Sequence, residues 1–212
     1  MAKISRKKLL LQLLEETVKS CKLKPEYNFD FVISFVGLTG VGKTTVAYLL
    51  AEKSGLPIFS HDDIRQFLEK HNMDKDDRDL VEWLSLERAT YLIDKNIDFI
   101  LDGDIVSYYQ KLKQRLENQG GKLLLVNVIC DLDVVIERLK KRKYGEKQPF
   151  GNVNYSASDF NTYFQRRFLH TQGHYPKDFF ATINNTHDSE EQVQELWFKI
   201  KMWLKKKEYS LD

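Results

Sequence analysis

The chain has 212 residues, 42% hydrophobic and 30% charged, with Lys+Arg 33 against Asp+Glu 31. That length predicts one domain with room for a small insertion, and a net charge of +2 excludes a global pull toward nucleic acid or an anionic membrane. The 13 phenylalanines exclude a disordered chain, and two distant cysteines, Cys21 and Cys130, exclude a disulfide framework and fit a reduced, cytoplasmic compartment.

From residue 4 to about 22, Leu10, Leu13, Leu14 and Val18 recur at helical spacing, predicting an amphipathic helix packed on the domain edge. Gln12, Glu15 and Glu16 interrupt its apolar run, so it does not read as a secretory signal. No run in the chain nears the roughly 20 apolar residues of a membrane span. Lys24-Pro25 ends the helix, which divides the chain into an N-terminal segment, 1–25, and a main domain, 26–212.

Phe31 to Val36 reads as a buried strand and Gly37 to Gly42 as a glycine-rich loop. Thr44 to Lys53 reads as a helix closed by Ser54-Gly55. Ile58-Phe59 is a short second strand, and a helix starts at Asp62 or Asp63. Leu80, Val81, Leu84, Ala89 and Leu92 mark a long helix, and Phe99-Ile100-Leu101 a strand ending at Asp102-Gly103. Tyr109 to Leu116 is helical. Leu123 to Ile129 is the clearest strand, followed by a helix from Val134 to Arg142. Residues 143–158 contain Gly145, Pro149 and Gly151 and read as a loop. A helix near 159–169, a strand from Phe180 to Ile183 and a last helix carrying Val193, Leu196, Ile200 and Leu204 complete the chain. Strands alternating with helices imply an α/β fold: a mostly parallel sheet with helices on both faces. Its ligands bind beyond the carboxyl ends of the strands.

Gly37-Leu38-Thr39-Gly40-Val41-Gly42-Lys43-Thr44 matches the full P-loop pattern in the required strand-to-helix context. A polyphosphate needs many short donors in a small volume. Main-chain amides supply them where glycine lets the chain bend tightly, and the following helix adds its positive pole. Gly37, Thr39, Gly40, Val41, Gly42, Lys43, Thr44 and Thr45 are therefore the candidate ATP-binding residues. Lys43 can bridge phosphates and the Thr44 hydroxyl can ligate Mg²⁺. The glycine spacing is not that of a dinucleotide fingerprint, and no Asn-Lys-x-Asp guanine-reading segment occurs.

Ser60-His61-Asp62-Asp63-Ile64-Arg65 follows the second strand. Together with Gly-x-x-Gly-x-Gly-Lys-Thr-Thr, its Asp-Asp-x-Arg resembles the small P-loop kinases grouped with polynucleotide 5′-kinases, zeta-toxin-like kinases and gluconate kinases, which carry an AAA-type ATP-binding domain. The resemblance spans residues 30 to 205. It implies a three-layer P-loop NTPase fold with a small lid, here near 138–158, and ATP- and Mg²⁺-dependent transfer to a hydroxyl. It also implies that Asp62 accepts the hydroxyl proton, and Asp63 competes for that role by register. Arg65, one turn on, can clamp an anionic acceptor or order Asp62. Asp102 resembles the metal-holding carboxylate, with Asp104 the alternative. Arg138 and Arg142, four apart on one helix face, resemble lid arginines that stabilise the transferred group.

The expected activity is a phosphotransferase acting on a small molecule or a nucleic-acid end, with no membrane and no obligatory protein partner. A nucleoside or nucleotide kinase and a non-transferring ATP-binding regulator or ATPase are the alternatives. His170 and His174 lack a third ligand and read as surface histidines.

Overall fold

The computed structural model describes residues 5–20, 31–145, 179–187 and 189–208. Within them lie α1 (Arg6–Ser20), β1 (Phe31–Val36), α2 (Lys43–Ser54), β2 (Ile58–Ser60), α3 (His61–Lys70), α4 (Arg78–Asp94) and β3 (Phe99–Asp102). α5 (Tyr109–Asn118), β4 (Lys122–Ile129), α6 (Leu132–Gly145), β5 (Ala181–Asn184) and α7 (Ser189–Glu208) follow. The expected helix near 159–169, His170 and His174 lie outside the described residues.

All pairings are parallel, in the order β2-β3-β1-β4-β5. β1 is apolar at every position but one because both its faces are covered. Side chains alternate across a strand, so Phe31, Ile33 and Phe35 face one layer while Val32 and Val36 face the other. The first layer is α2 and α7, through Val46, Ala47, Leu50, Val193, Leu196, Ile200 and Leu204. The second is α4 and α5, through Ala89, Leu92, Ile93, Leu112 and Leu116. This is the three-layer arrangement expected.

α1 joins a third apolar cluster with α3 and α4, placing Leu9 and Leu13 against Ile64, Phe67, Leu80 and Leu84. Its buried face is Leu9, Leu13 and Thr17, one turn apart each. Val18, expected on that face, is 41% exposed. Leucines at 9, 10, 11, 13 and 14 spread over about 200° of the helix, wider than the buried face, so the docking partner selects the inner side within that arc. α6 also runs on to Gly145, so residues 143–145, expected in a loop, are helical.

The layers bring three segments together at the carboxyl ends of the strands: the loop after β1, the start of α3 after β2, and the end of β3. In register, Ser60 pairs with Asp102 across β2 and β3.

Candidate active site

The loop after β1 is an arc held from several sides. Gly42 has φ +91°, a left-handed conformation that disfavours any residue with a Cβ. A Cβ there would also collide with the Asn185 amide. That buried amide donates to the Val41 carbonyl at 2.7 Å, and its oxygen is hydrogen-bonded by Ser189 Oγ at the start of α7. Arg138 Nη1 approaches the same Val41 carbonyl at 3.4 Å and Cys130 Sγ at 3.4 Å. Val135 and Leu139 of α6 lie against Gly40.

α2 opens at Lys43 without a side-chain cap. Its first amides and its positive pole therefore point into the arc. Lys43 Nζ donates to the carbonyls of Gly37 at 2.8 Å and Leu38 at 3.0 Å, so its ammonium is folded over the loop.

Asp102 ends β3 at 8% exposure. Burial raises its pKa, while a hydrogen bond with Thr44 and the charge of Lys43 oppose the shift; Asp62 and Asp63 add to it. A buried carboxylate beside a threonine hydroxyl is an oxygen donor pair that a hard divalent cation would stabilise. The residues present thus fit Mg²⁺.

The start of α3 places the two aspartates differently. Ser60 is its N-cap: Ser60 Oγ accepts from the Asp63 N–H at 3.0 Å, and the Asp63 carboxylate accepts from the Ser60 N–H at 2.6 Å. Asp63 is thereby engaged in a reciprocal capping box. Asp62, one position earlier, is in the cavity wall, where its carboxylate accepts from Arg65 Nη1 at 2.7 Å.

The cavity is about 250 Å³ in volume. Thr39, Gly40, Gly42, Lys43, Thr44 and Asp102 line one part; Asp62, Arg65, Arg78, Glu82 and Asp104 are among those lining the rest. Eight expected site residues are therefore brought together. Gly37, Val41, Thr45 and Arg138 are not in its wall; Val41 is buried behind the arc and Thr45 is exposed. The Arg142 side chain lies outside those described. Arg78, Glu82 and His61 also line the cavity and were not anticipated. His61 sat in the quoted segment, but Arg78 and Glu82 come from α4, where no motif marks them.

His61 is buried, with Nε2 2.8 Å from the Tyr108 hydroxyl, which is 3.0 Å from Ser85 Oγ. Burial pulls the His61 pKa down to about 4; Arg65 and Arg88 help, while Asp104 and Glu82 oppose. Burial likewise raises the Tyr108 phenol, so both groups are neutral at pH 7.

A parallel sheet with this arc at the end of β1 and a carboxylate at the end of β3 defines a P-loop kinase fold. The architecture is similar to that of a shikimate kinase from Acinetobacter baumannii in complex with shikimate (TM-score 0.59, 14% identity, 82% of this chain and 94% of that one). It is also similar to an APS kinase from Mycobacterium tuberculosis in complex with AMPPNP and APS (TM-score 0.53, 17% identity, 82% and 98%). In sequence the chain is 24% identical over 136 residues to a cytidylate kinase from Methanothermobacter thermautotrophicus, covering 58% of this chain and 84% of that protein. Residues 33–157 match the AAA domain family, and the chain belongs to it. The finer group named from the sequence, with polynucleotide, zeta-toxin-like and gluconate kinases, stays a resemblance. Among the described residues, no helix is long and apolar enough to cross a membrane.

Proposed function

We propose that the protein is an ATP- and Mg²⁺-dependent phosphotransferase whose acceptor is a hydroxyl of a small molecule. One observation carries the reading: Lys43, Thr44, Asp102 and Asp62 converge on a single cavity, while Asp63 is occupied in capping α3. Lys43 and the arc's amides hold the phosphates. Thr44 and Asp102 would hold Mg²⁺, which supplies charge neutralisation on the phosphoryl oxygens. Asp62 orients the acceptor hydroxyl and takes its proton as the new O–P bond forms; the bond from the γ-phosphorus to the bridging oxygen breaks and ADP leaves. Arg138 braces the arc and supplies positive charge beside it, with Arg142 one turn further along α6. Arg65 orders Asp62.

The cavity supports a small acceptor over a nucleic-acid end. It is small, and two of the wall's cations, Arg65 and Arg78, are already paired with Asp62 and Glu82 rather than forming an unbalanced basic track for a nucleic-acid backbone. The likeness to a cytidylate kinase favours a second reading, in which Arg65 and Arg78 receive the phosphate of a nucleoside monophosphate.

ADP release is to be followed with Mg·ATP alone and with polyols, sugar acids, CMP and an oligonucleotide bearing a free 5′-hydroxyl. The expected result is release that depends on a polyol or sugar acid. Dependence on CMP selects the second reading. Slow, acceptor-indifferent release would mark an ATPase or regulator and overturn the proposal. Asp62→Asn should abolish transfer while ATP affinity stays within about threefold, since the carboxylate does not hold the nucleotide.

A further inference from the structure

Resting on that phosphotransferase reading, we propose that His61, Tyr108 and Ser85 form a buried positioning chain that fixes the Asp62 carboxylate relative to the end of β3. His61 is the first residue of α3 and directly precedes Asp62. Its Nε2 meets the Tyr108 hydroxyl at 2.8 Å, and that hydroxyl meets Ser85 Oγ at 3.0 Å. Tyr108 stands between β3 and α5, and Ser85 is inside α4. Two separate parts of the fold, the β3–α5 connection and α4, are thus joined to the turn that carries Asp62.

The His61 ring also lies against Gly103, where a Cβ would sit 2.7 Å from it. Gly103 follows Asp102. The imidazole therefore acts as a spacer between the aspartate that takes the proton and the aspartate beside Thr44. A second hold reaches the same turn. Arg88 of α4, 3% exposed, donates from Nη2 to the Ser60 carbonyl at 2.8 Å, lies 3.8 Å from the Asp63 carboxylate, and covers the Phe59 ring at 5.0 Å.

Burying histidine, tyrosine, serine and arginine side chains together costs solvation that aliphatic packing would not. A satisfied polar chain instead enforces one geometry. Geometry is what a base needs, because misplacement by about 1 Å can cost on the order of 100-fold in rate. Asp62 itself is half exposed and paired with Arg65 one turn along its own helix, a contact that cannot place α3 against β3.

The test compares the wild type with Tyr108→Phe, His61→Ala and His61→Gln. Three readouts are needed: ADP release with the best acceptor of the panel above, ATP calorimetry, and amide hydrogen exchange in the first turn of α3. Gln keeps an amide nitrogen near the place of His Nε2. Tyr108→Phe and His61→Ala should lower kcat by about tenfold or more with the ATP Kd within about twofold, and should speed first-turn exchange by about tenfold. His61→Gln should bring kcat back to within about threefold of the wild type. The proposal is overturned if Tyr108→Phe leaves first-turn exchange unchanged. Equal loss of rate and ATP affinity, or a His61→Gln enzyme as slow as His61→Ala, overturns it too. A wild type that binds ATP yet serves no acceptor sinks the transfer reading instead; exchange then decides alone whether the chain holds Asp62.

Discussion

Acidification should weaken this fold through one imidazole. His61 titrates near its ordinary 6.5 when unfolded but at about 4 when folded. Between those values the unfolded chain binds a proton that the folded chain refuses, so stability falls as pH drops through the window. Nothing is lost above pH 6.5, and the loss is complete near pH 4. Each unit of difference is worth about 1.4 kcal/mol, so by pH 4.5 the group removes about 2.5 kcal/mol. The assay is urea unfolding of the wild type and His61→Gln at pH 7 and pH 4.5. Gln preserves the contact to Tyr108 but does not titrate. Other groups titrate in both proteins, and their contribution cancels in the comparison. With a urea slope of about 2–3 kcal/mol/M, the wild-type midpoint should fall about 1 M further than the variant's. Equal falls would refute the claim that His61 is buried neutral against Tyr108.

Three further outcomes follow from other parts of the fold. Gly42→Ala must take up a left-handed φ and displace the Asn185 amide from Val41; a loss of about 3 kcal/mol is expected, read as a fall in Tm of roughly 6–12 °C, together with loss of the calorimetric heat of ATP binding. Asp102→Asn removes a carboxylate whose pKa burial has raised, so the ligand-free protein should melt higher at pH 7 while Mg²⁺ no longer strengthens ATP binding in titrations. Leu9→Ala should cost about 2–5 kcal/mol in urea unfolding, whereas Leu11→Ala, at an exposed position of the same helix, should stay within about 0.5 kcal/mol.

Local signals were readable and long-range ones were not. β1, the arc and the start of α2 follow from an apolar run, a glycine spacing and a Lys-Thr pair that are contiguous in the chain. Asp102 was readable because it ends an apolar strand. The resemblance put Asp62 forward and register left Asp63 open; a short-range pattern separates the settings of the two, since a serine three residues before an acidic one is a capping signature. Ser60 and Asp63 carried it, which leaves Asp62 in the cavity wall. The partners of His61 had no such signal. Tyr108 is 47 residues away from it, and Ser85 is 23 from Tyr108. Only the packing of α4 and the β3–α5 connection brings them together. Arg138 was read as a residue over the phosphates, but its reach to Val41 depends on how α6 leans on the arc. For α1, leucines over about 200° of the circumference made the exact buried face a question about α3 and α4.

The bond from Asn185 to the Val41 carbonyl spans 144 residues, and this has a bearing on biosynthesis. A ribosome makes the glycine arc first, and the anchoring amide follows 144 residues after Val41, with the serine that orients it just beyond. Until Ser189 has cleared the exit tunnel, a nascent chain holds the motif without its brace. Capacity to grip nucleotide should therefore lag well behind synthesis of the motif and appear abruptly, as α7 docks.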